Sequence, residues 1–416
     1  MGFLKKHSVG IGTTTTAGRN LGIGTANGEA VVNVTNSALE IYNEDAWLTA
    51  GQFSSWSVAS PVSPSGPGQA GVVEYNTGAT TFVVFYDPGT VTITGGLTAE
   101  GALLVGGGGA GGAPGGGGGG AGGLLEAEQP FPLGSGTYTV TIGDGAPPIR
   151  TNSPANPEGP AGGNVPYLNP TGPIWPGGDT LGLCGQPSVF GSHTAYGGEN
   201  GGGSSQLPAY TNVAAYPNPA TNCSFAGGGA PYVTWTPTSS VGSGGALAYT
   251  GPSSRTPTAT MQQPSSPFTG YGNIAGQPGP PGAAGNGGSG GAGGAGAAFP
   301  GGGGGAERSV PTTLLPDPFT SDPNHFPSVF LNVPISSPSA RRRGFSGGAG
   351  AFPNNPNSPL GTGGSGGPSG TQADHSGTNF RGGAAGGMNT PNPGATYGYG
   401  GKGVFIIKLP TSGKAS

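Results

Sequence analysis

Alternation of apolar and polar positions marks strands near the two ends of the chain and only scattered ones between them. Near the start, Gly28-Glu-Ala-Val-Val-Asn-Val-Thr-Asn-Ser-Ala-Leu-Glu-Ile-Tyr-Asn-Glu-Asp-Ala-Trp47 predicts two short strands. Ala30, Val32 and Val34 alternate with Val31 and Asn33, Asn36-Ser37 supplies turn chemistry, and Leu39-Glu-Ile-Tyr42 returns. A two-stranded hairpin is marginal alone, so this one needs further partners. Four more β-branched or aromatic runs follow: Gly71–Tyr75, Thr80–Tyr86, Thr90–Thr94 and Ala102–Val105. They are split by Gly, Asp-Pro-Gly or Gly-Gly and predict a small antiparallel sandwich. A strand-like piece, Gly136–Gly143, comes later and ends in the turn Asp144-Gly145. The last run, Gly403-Val-Phe-Ile-Ile-Lys-Leu409, is too apolar to stand without sheet partners, and the nearest candidates precede residue 106. The β regions are therefore expected to close on each other around a long glycine-rich insertion.

Composition changes the picture for that insertion. Gly contributes 94 and Pro 44 of 416 residues, which brings low complexity, disorder and collagen into consideration. Charged residues are only 7%. Disordered chains stay soluble through charge, so a chain this poor in it is expected to order its backbone. Gly106 to Gly123 holds 14 glycines in 18 residues, and clusters recur at 201–203, 227–229, 285–305, 347–350 and 361–370. A collagen register, Gly276 through Gly294 at every third residue, breaks at Ala297 and recurs nowhere else. Flexible linker is the second reading. The third, which we favour, is a bundle of polyproline-II helices within one chain. Such a helix has no internal hydrogen bonds and must bond sideways, and glycine lets neighbouring backbones approach closely enough to do so. The expected fold class is thus all-β with glycine-rich polyproline-II helices and sandwich-like strands closed by the C-terminal strand. Its expected parts are an N-terminal β attachment unit over 1–50, a linker over 51–70, and a β plus glycine-rich domain over 71–416.

Charge and chemistry-bearing residues mostly exclude. The formal net charge is −4, and no Lys or Arg occurs between Arg19 and Arg150, which argues against a nucleic-acid surface there. No run of 18 apolar residues suggests a membrane span. The start lacks the apolar core of a secretory signal, and Lys6 stands where a lipidation motif wants Ser or Thr. Cys184 and Cys223 cannot build a disulfide framework or, alone, a zinc site; buried free thiols are expected, with pairing as the alternative. His7, His193, His325 and His375 are far apart, with Asp374-His375 the one adjacent acid–histidine pair. There is no nucleophile elbow, zinc motif or P-loop. Asp317 and Asp322 sit in a Pro-rich loop rather than on the rigid scaffold a polysaccharide-cleaving pair would need. No catalytic residue, cofactor site or metal site is expected. What remains is adhesive. Tyr196, Tyr210, Tyr216, Tyr232, Trp235, Tyr249 and Tyr271 lie in polar, Pro-rich segments, and Arg341, Arg342 and Arg343 form the one concentrated positive site. Aromatics among Ser, Asn and Gly suit surface binding; the alternative is packing between bundle layers.

Several runs together resemble a known family. Ala102-Leu-Leu-Val-Gly-Gly-Gly-Gly-Ala-Gly-Gly112, Gly119-Gly-Ala-Gly-Gly-Leu-Leu125 and Gly136-Thr-Tyr-Thr-Val-Thr-Ile-Gly-Asp-Gly145 follow one another in the order seen in the glycine-rich domain of bacteriophage tail-fibre and other virion proteins. Pro187-Ser-Val-Phe-Gly191 and Gly400-Gly-Lys-Gly-Val-Phe-Ile-Ile407 match that domain's later anchors, so the resemblance covers about residues 80–409. Ile11–Asn20 and the Gly28–Trp47 hairpin are similar to the start of marine-phage structural proteins. The chain differs in its proline content and in insertions such as Leu314–Pro334. The resemblance implies a virion-surface protein, a fibre or appendage held to other virion proteins through its N-terminal region. Its outward partner would be a host cell-surface glycan or protein. A homotrimer is expected, without nucleic acid, membrane insertion or enzymatic activity. The alternatives are a capsid-decorating or neck/head-fibre protein, or a secreted extracellular-matrix glycine-rich protein.

Overall fold

The computed structural model describes residues 12–17, 30–33, 38–43, 46–52, 54–60, 71–111, 118–146, 184–199, 262, 264–273, 306–315, 344–346, 382–383 and 399–415. Strands dominate the regular structure of these residues, and the fold is all-β. The N-terminal hairpin forms where alternation places it. Strands β2 (Ala30–Asn33) and β3 (Ala38–Asn43) pair antiparallel, flanked by β1 (Gly12–Thr14) and β4 (Ala46–Gln52) in the order β1-β2-β3-β4. Its buried side is partly polar: Val31, Asn33 and Glu40 are covered, and the Asn33 amide donates to the Glu40 carboxylate at 2.9 Å.

Two larger sheets follow. The first is built from β6 (Val72–Asn76), β7 (Thr80–Phe85), β10 (Gly101–Val105), β11 (Leu124–Ala127), β16 (Thr269–Tyr271) and β19 (Val404–Pro410). Its order is β16-β11-β10-β19-β7-β6, so the C-terminal strand lies between two strands that precede residue 106. The second joins β5 (Ser55–Ala59), β8 (Gly89–Thr94), β13 (Gly136–Thr141), β14 (Ser188–Phe190) and β15 (His193–Ala195), in the order β15-β14-β13-β8-β5. Strands β9 (Leu97–Ala99) and β12 (Phe131–Leu133) form a separate pair, as do β17 (Arg308–Ser309) and β18 (Gly344–Phe345).

The two large sheets share one core. Val83, Phe85, Leu104, Leu125, Phe405 and Ile407 from the first meet Trp56, Val91, Ile93, Val140 and Phe190 from the second. Phe405 is central, with its ring centroid 4.5 Å from that of Phe190 and 5.7 Å from that of Phe85. The opposite face of the six-stranded sheet is also apolar, with Phe82, Val84, Leu103, Leu124, Val404 and Ile406 packed beneath Val310, Leu314, Leu315 and Phe345. Burial on both faces explains why β7, β10 and β19 read as nearly continuous hydrophobic runs rather than as alternating ones.

Two sequence expectations change here. The 51–70 linker contains β5, whose Trp56 is 1% exposed and donates its indole N–H to the Pro410 carbonyl at 2.8 Å. Trp56 and Val58 face the core while Ser57 faces out, and that short alternation beside the Ser/Pro/Gly run makes the segment a strand. Cys184 is disulfide-bonded rather than a free thiol, and Cys223 is the one other cysteine in the sequence.

Beyond β10 the glycine run leaves the sheet and bonds sideways. The N–H groups of Gly106, Gly107, Gly108 and Gly109 donate to the carbonyls of Gly123, Gln186, Gly401 and Gly120, at 2.8–2.9 Å. Successive residues reach different segments, and Gly106 and Gly109, three apart, reach the same one. The carbonyls of Gly107 and Gly108 accept from Gly198 and Ala146. The neighbouring run repeats this spacing: Gly120 and Gly123 donate to Glu199 and Tyr196, while Gly122 donates to Gly382. The N–H groups of these seven glycines are thereby satisfied within the protein.

Candidate functional site

The sequence-predicted surface residues fall into two sets. Tyr210, Tyr216, Tyr232, Trp235, Tyr249, Arg341, Arg342 and Arg343 lie outside the described residues, as do His7, His325, His375, Asp317, Asp322 and Asp374. Tyr196 and Tyr271 are described, and both are half-buried. Tyr196 is tied into the glycine runs by its backbone: its carbonyl accepts from Gly123, and its N–H donates to the Gln262 side chain at 2.8 Å. The same Gln262 amide donates to the Thr194 carbonyl at 3.1 Å. It thus serves the free edge of β15 as a neighbouring strand would.

Tyr271 belongs to a polar cluster that sequence reasoning missed. It stands on β16, where the register places it opposite Leu124 of β11. The Arg308 guanidinium lies over its ring at 4.3 Å and donates to its hydroxyl at 3.0 Å. Arg308 also donates through Nε to Glu126 Oε2 at 3.1 Å, and it approaches Glu128 at 3.7 Å. Alternation along β11 puts Glu126 on the same face as Leu124, beneath the segment that carries Arg308. Its side chain is fully covered, and Oε1 meets no hydrogen-bond donor among the described residues. Burial pushes the Glu126 carboxyl up to about 7, against the pull of Arg308. Burial also raises Tyr271, with the charge of Glu126 adding to it. Burial lowers Arg308, but the hydrogen bond and charge of Glu126 outweigh it and leave Arg308 above its ordinary range.

This arrangement suits a clamp. One arginine from the covering segment is held by a carboxylate, a hydroxyl and an aromatic face of the sheet below. Lys408 adds a second tie, donating to the Thr313 carbonyl at 2.9 Å, with its ammonium 5.6 Å from the Phe82 ring centre. The clamp joins residues 182 apart in the chain, and nothing local in the sequence signals such a pair.

A second junction ties the sheets to the glycine runs. Ser188 is fully buried; its hydroxyl donates to the Val105 carbonyl at 2.6 Å and accepts from the Gly143 N–H at 2.9 Å. Lys402, in the Gly-Gly-Lys-Gly segment, donates to Asp87 at 2.7 Å. His193 contacts the Ser265 hydroxyl at 2.8 Å and packs on Phe268, and burial lowers its pKa. Among the described residues no cluster of three or more His, Cys, Asp or Glu could hold a metal ion. No described helix is long and apolar enough to cross a membrane.

Comparison with protein families, curated proteins and solved structures finds no match to this chain.

Proposed function

We propose that this chain is a structural protein of a bacteriophage particle, a glycine-rich fibre or appendage that adheres to the host surface and catalyses nothing. It attaches to other virion proteins through its N-terminal region and reaches outward with its glycine-rich body. The observation that carries this reading is the return of hydrogen bonds to the same neighbour every third residue, at Gly106 and Gly109 and again at Gly120 and Gly123. A polyproline-II helix has three residues per turn and no internal bonds, so its donors point to successive neighbours in that sequence. The glycine segments are therefore read as a bundle of such helices. The two sheets with their common core form a sandwich at its base. A body of this kind is stiff, nearly uncharged and rich in internally satisfied backbone, properties that suit a mechanical and adhesive part rather than an enzyme. Trimerisation would offset the backbone entropy that so much glycine gives up on folding.

The test is location. Antibody against the full chain should label appendages on purified virus particles, and its peptides should copurify with those particles. Absence from particles overturns the proposal. A secreted extracellular-matrix protein is the second reading, favoured by the disulfide at Cys184, since such bonds persist in oxidising surroundings. It predicts the protein in the extracellular soluble or wall fraction instead.

A further inference from the structure

The outer face of the five-stranded sheet is chemically uniform. Its outward positions are Ser55, Ser57 and Ala59 on β5, Thr90, Thr92 and Thr94 on β8, and Thr137, Thr139 and Thr141 on β13. Val189 on β14 and Thr194 on β15 complete it. None of these eleven is buried. Seven are threonine, in a chain that has 40 threonines in 416 residues. The register aligns them in rows across the strands: Ser57 with Thr92 and Thr137, Ala59 with Thr90 and Thr139, and Thr141 with Val189 and Thr194. Strands stand about 4.8 Å apart and same-face residues about 6.8 Å apart, so the face is a two-dimensional grid of hydroxyl and methyl groups.

From this grid we infer that the outer face of the five-stranded sheet docks a neutral polysaccharide chain of the host envelope. The inference rests on the adhesive reading above and names its partner and place. Each hydroxyl both donates and accepts, which is what a sugar hydroxyl requires. Thr92 and Thr137 bond to each other at 3.2 Å. The other hydroxyls of the grid make no side-chain hydrogen bond among the described residues, so they are open to a ligand. β-Branching holds threonine in few rotamers, and little side-chain freedom is lost on binding. The methyl groups between the hydroxyls suit the C–H faces of sugar rings. Among the described residues the face carries no cation for a nucleic acid or an anionic lipid. It also carries none of the aromatic or arginine anchors on which protein interfaces depend. High strand propensity accounts for threonine on any one strand. It does not account for the lack of charged and amide side chains at these eleven positions.

The test uses the full chain in affinity gel electrophoresis against dextran, mannan, laminarin and neutral polysaccharide extracted from the host envelope. At least one should retard the protein. Replacing Thr90, Thr92, Thr137 and Thr139 together by Val removes hydroxyls while keeping shape, and should weaken retardation at least tenfold with the melting temperature preserved. Single Thr→Ser changes, which keep the hydroxyl, should retain it. No retardation by any of the four polysaccharides overturns the inference, as does equal retardation of the Val variant. A lower oligomeric mass of the variant assigns the face to contact between copies and overturns it too. Host-cell adhesion separates the two claims. If the wild type and the Val variant adhere equally, the adhesive reading stands and this face is not its site; if the wild type does not adhere, the adhesive reading itself fails.

Discussion

A methyl group added at Gly108 would collide with the Gly383 carbonyl, and one at Gly107 with that of Asp144. At these positions it is close approach of backbones that excludes a side chain. Gly108→Ala is expected to cost about 3 kcal/mol or more of stability in denaturant unfolding. Gly134→Ala is the control: a Cβ there would meet only the Tyr138 hydroxyl, at an ordinary 3.7 Å, and the cost should stay within about 0.5 kcal/mol. At Glu126 the chemistry is different. A carboxyl whose folded pKa is raised binds protons more readily folded than unfolded, so its ionisation in the fold opposes stability. The protein should therefore lose stability as pH climbs from the ordinary glutamate range through about 7. Glu126→Gln should flatten that part of the melting-temperature profile and exceed the wild type at pH 8. A wild-type profile level from pH 4.5 to 8 would contradict the burial argument.

Among the elements, β19 connects the most. It pairs with β10 and β7, and its Phe405 joins the two sheets through Phe85 and Phe190. Phe405→Ala should destabilise by about 3–5 kcal/mol, measured by chemical unfolding. The elements also show what the sequence makes legible. The β2–β3 hairpin and strands β6, β7, β8 and β10 could be located because alternation, β-branched or aromatic runs and turn residues are local signals, whereas the short β9 was not. The need of Val404–Pro410 for partners before residue 106 was legible from its apolarity alone. How those strands divide between two sheets was not, since β7 and β8 are consecutive yet pair in different sheets. Partner choice depends on contacts far apart in sequence. Trp56 was hidden by a neighbouring Ser/Pro/Gly run, and the Glu126–Arg308 clamp by its separation in the chain. Only Tyr196 and Tyr271 of the predicted surface residues fall within the described residues, and both are half-buried.

For the whole molecule, cross-linking and backbone bonding take the place of charge. The disulfide at Cys184 adjoins Gly185 and Gln186, whose backbones bond to Gly198, Gly107 and Asp144. That bond should contribute about 2–4 kcal/mol, so reduction should lower the melting temperature by several degrees. An unchanged melting temperature would mean that the bond constrains nothing in the unfolded chain. The central claim is that the glycine runs are ordered, laterally bonded backbone rather than linker. Amide hydrogen exchange at Gly106–Gly109, Gly120, Gly122 and Gly123 tests it most directly. These amides are predicted to exchange as slowly as those of β10 and β19, and exchange at the rate of an unstructured peptide would contradict the account.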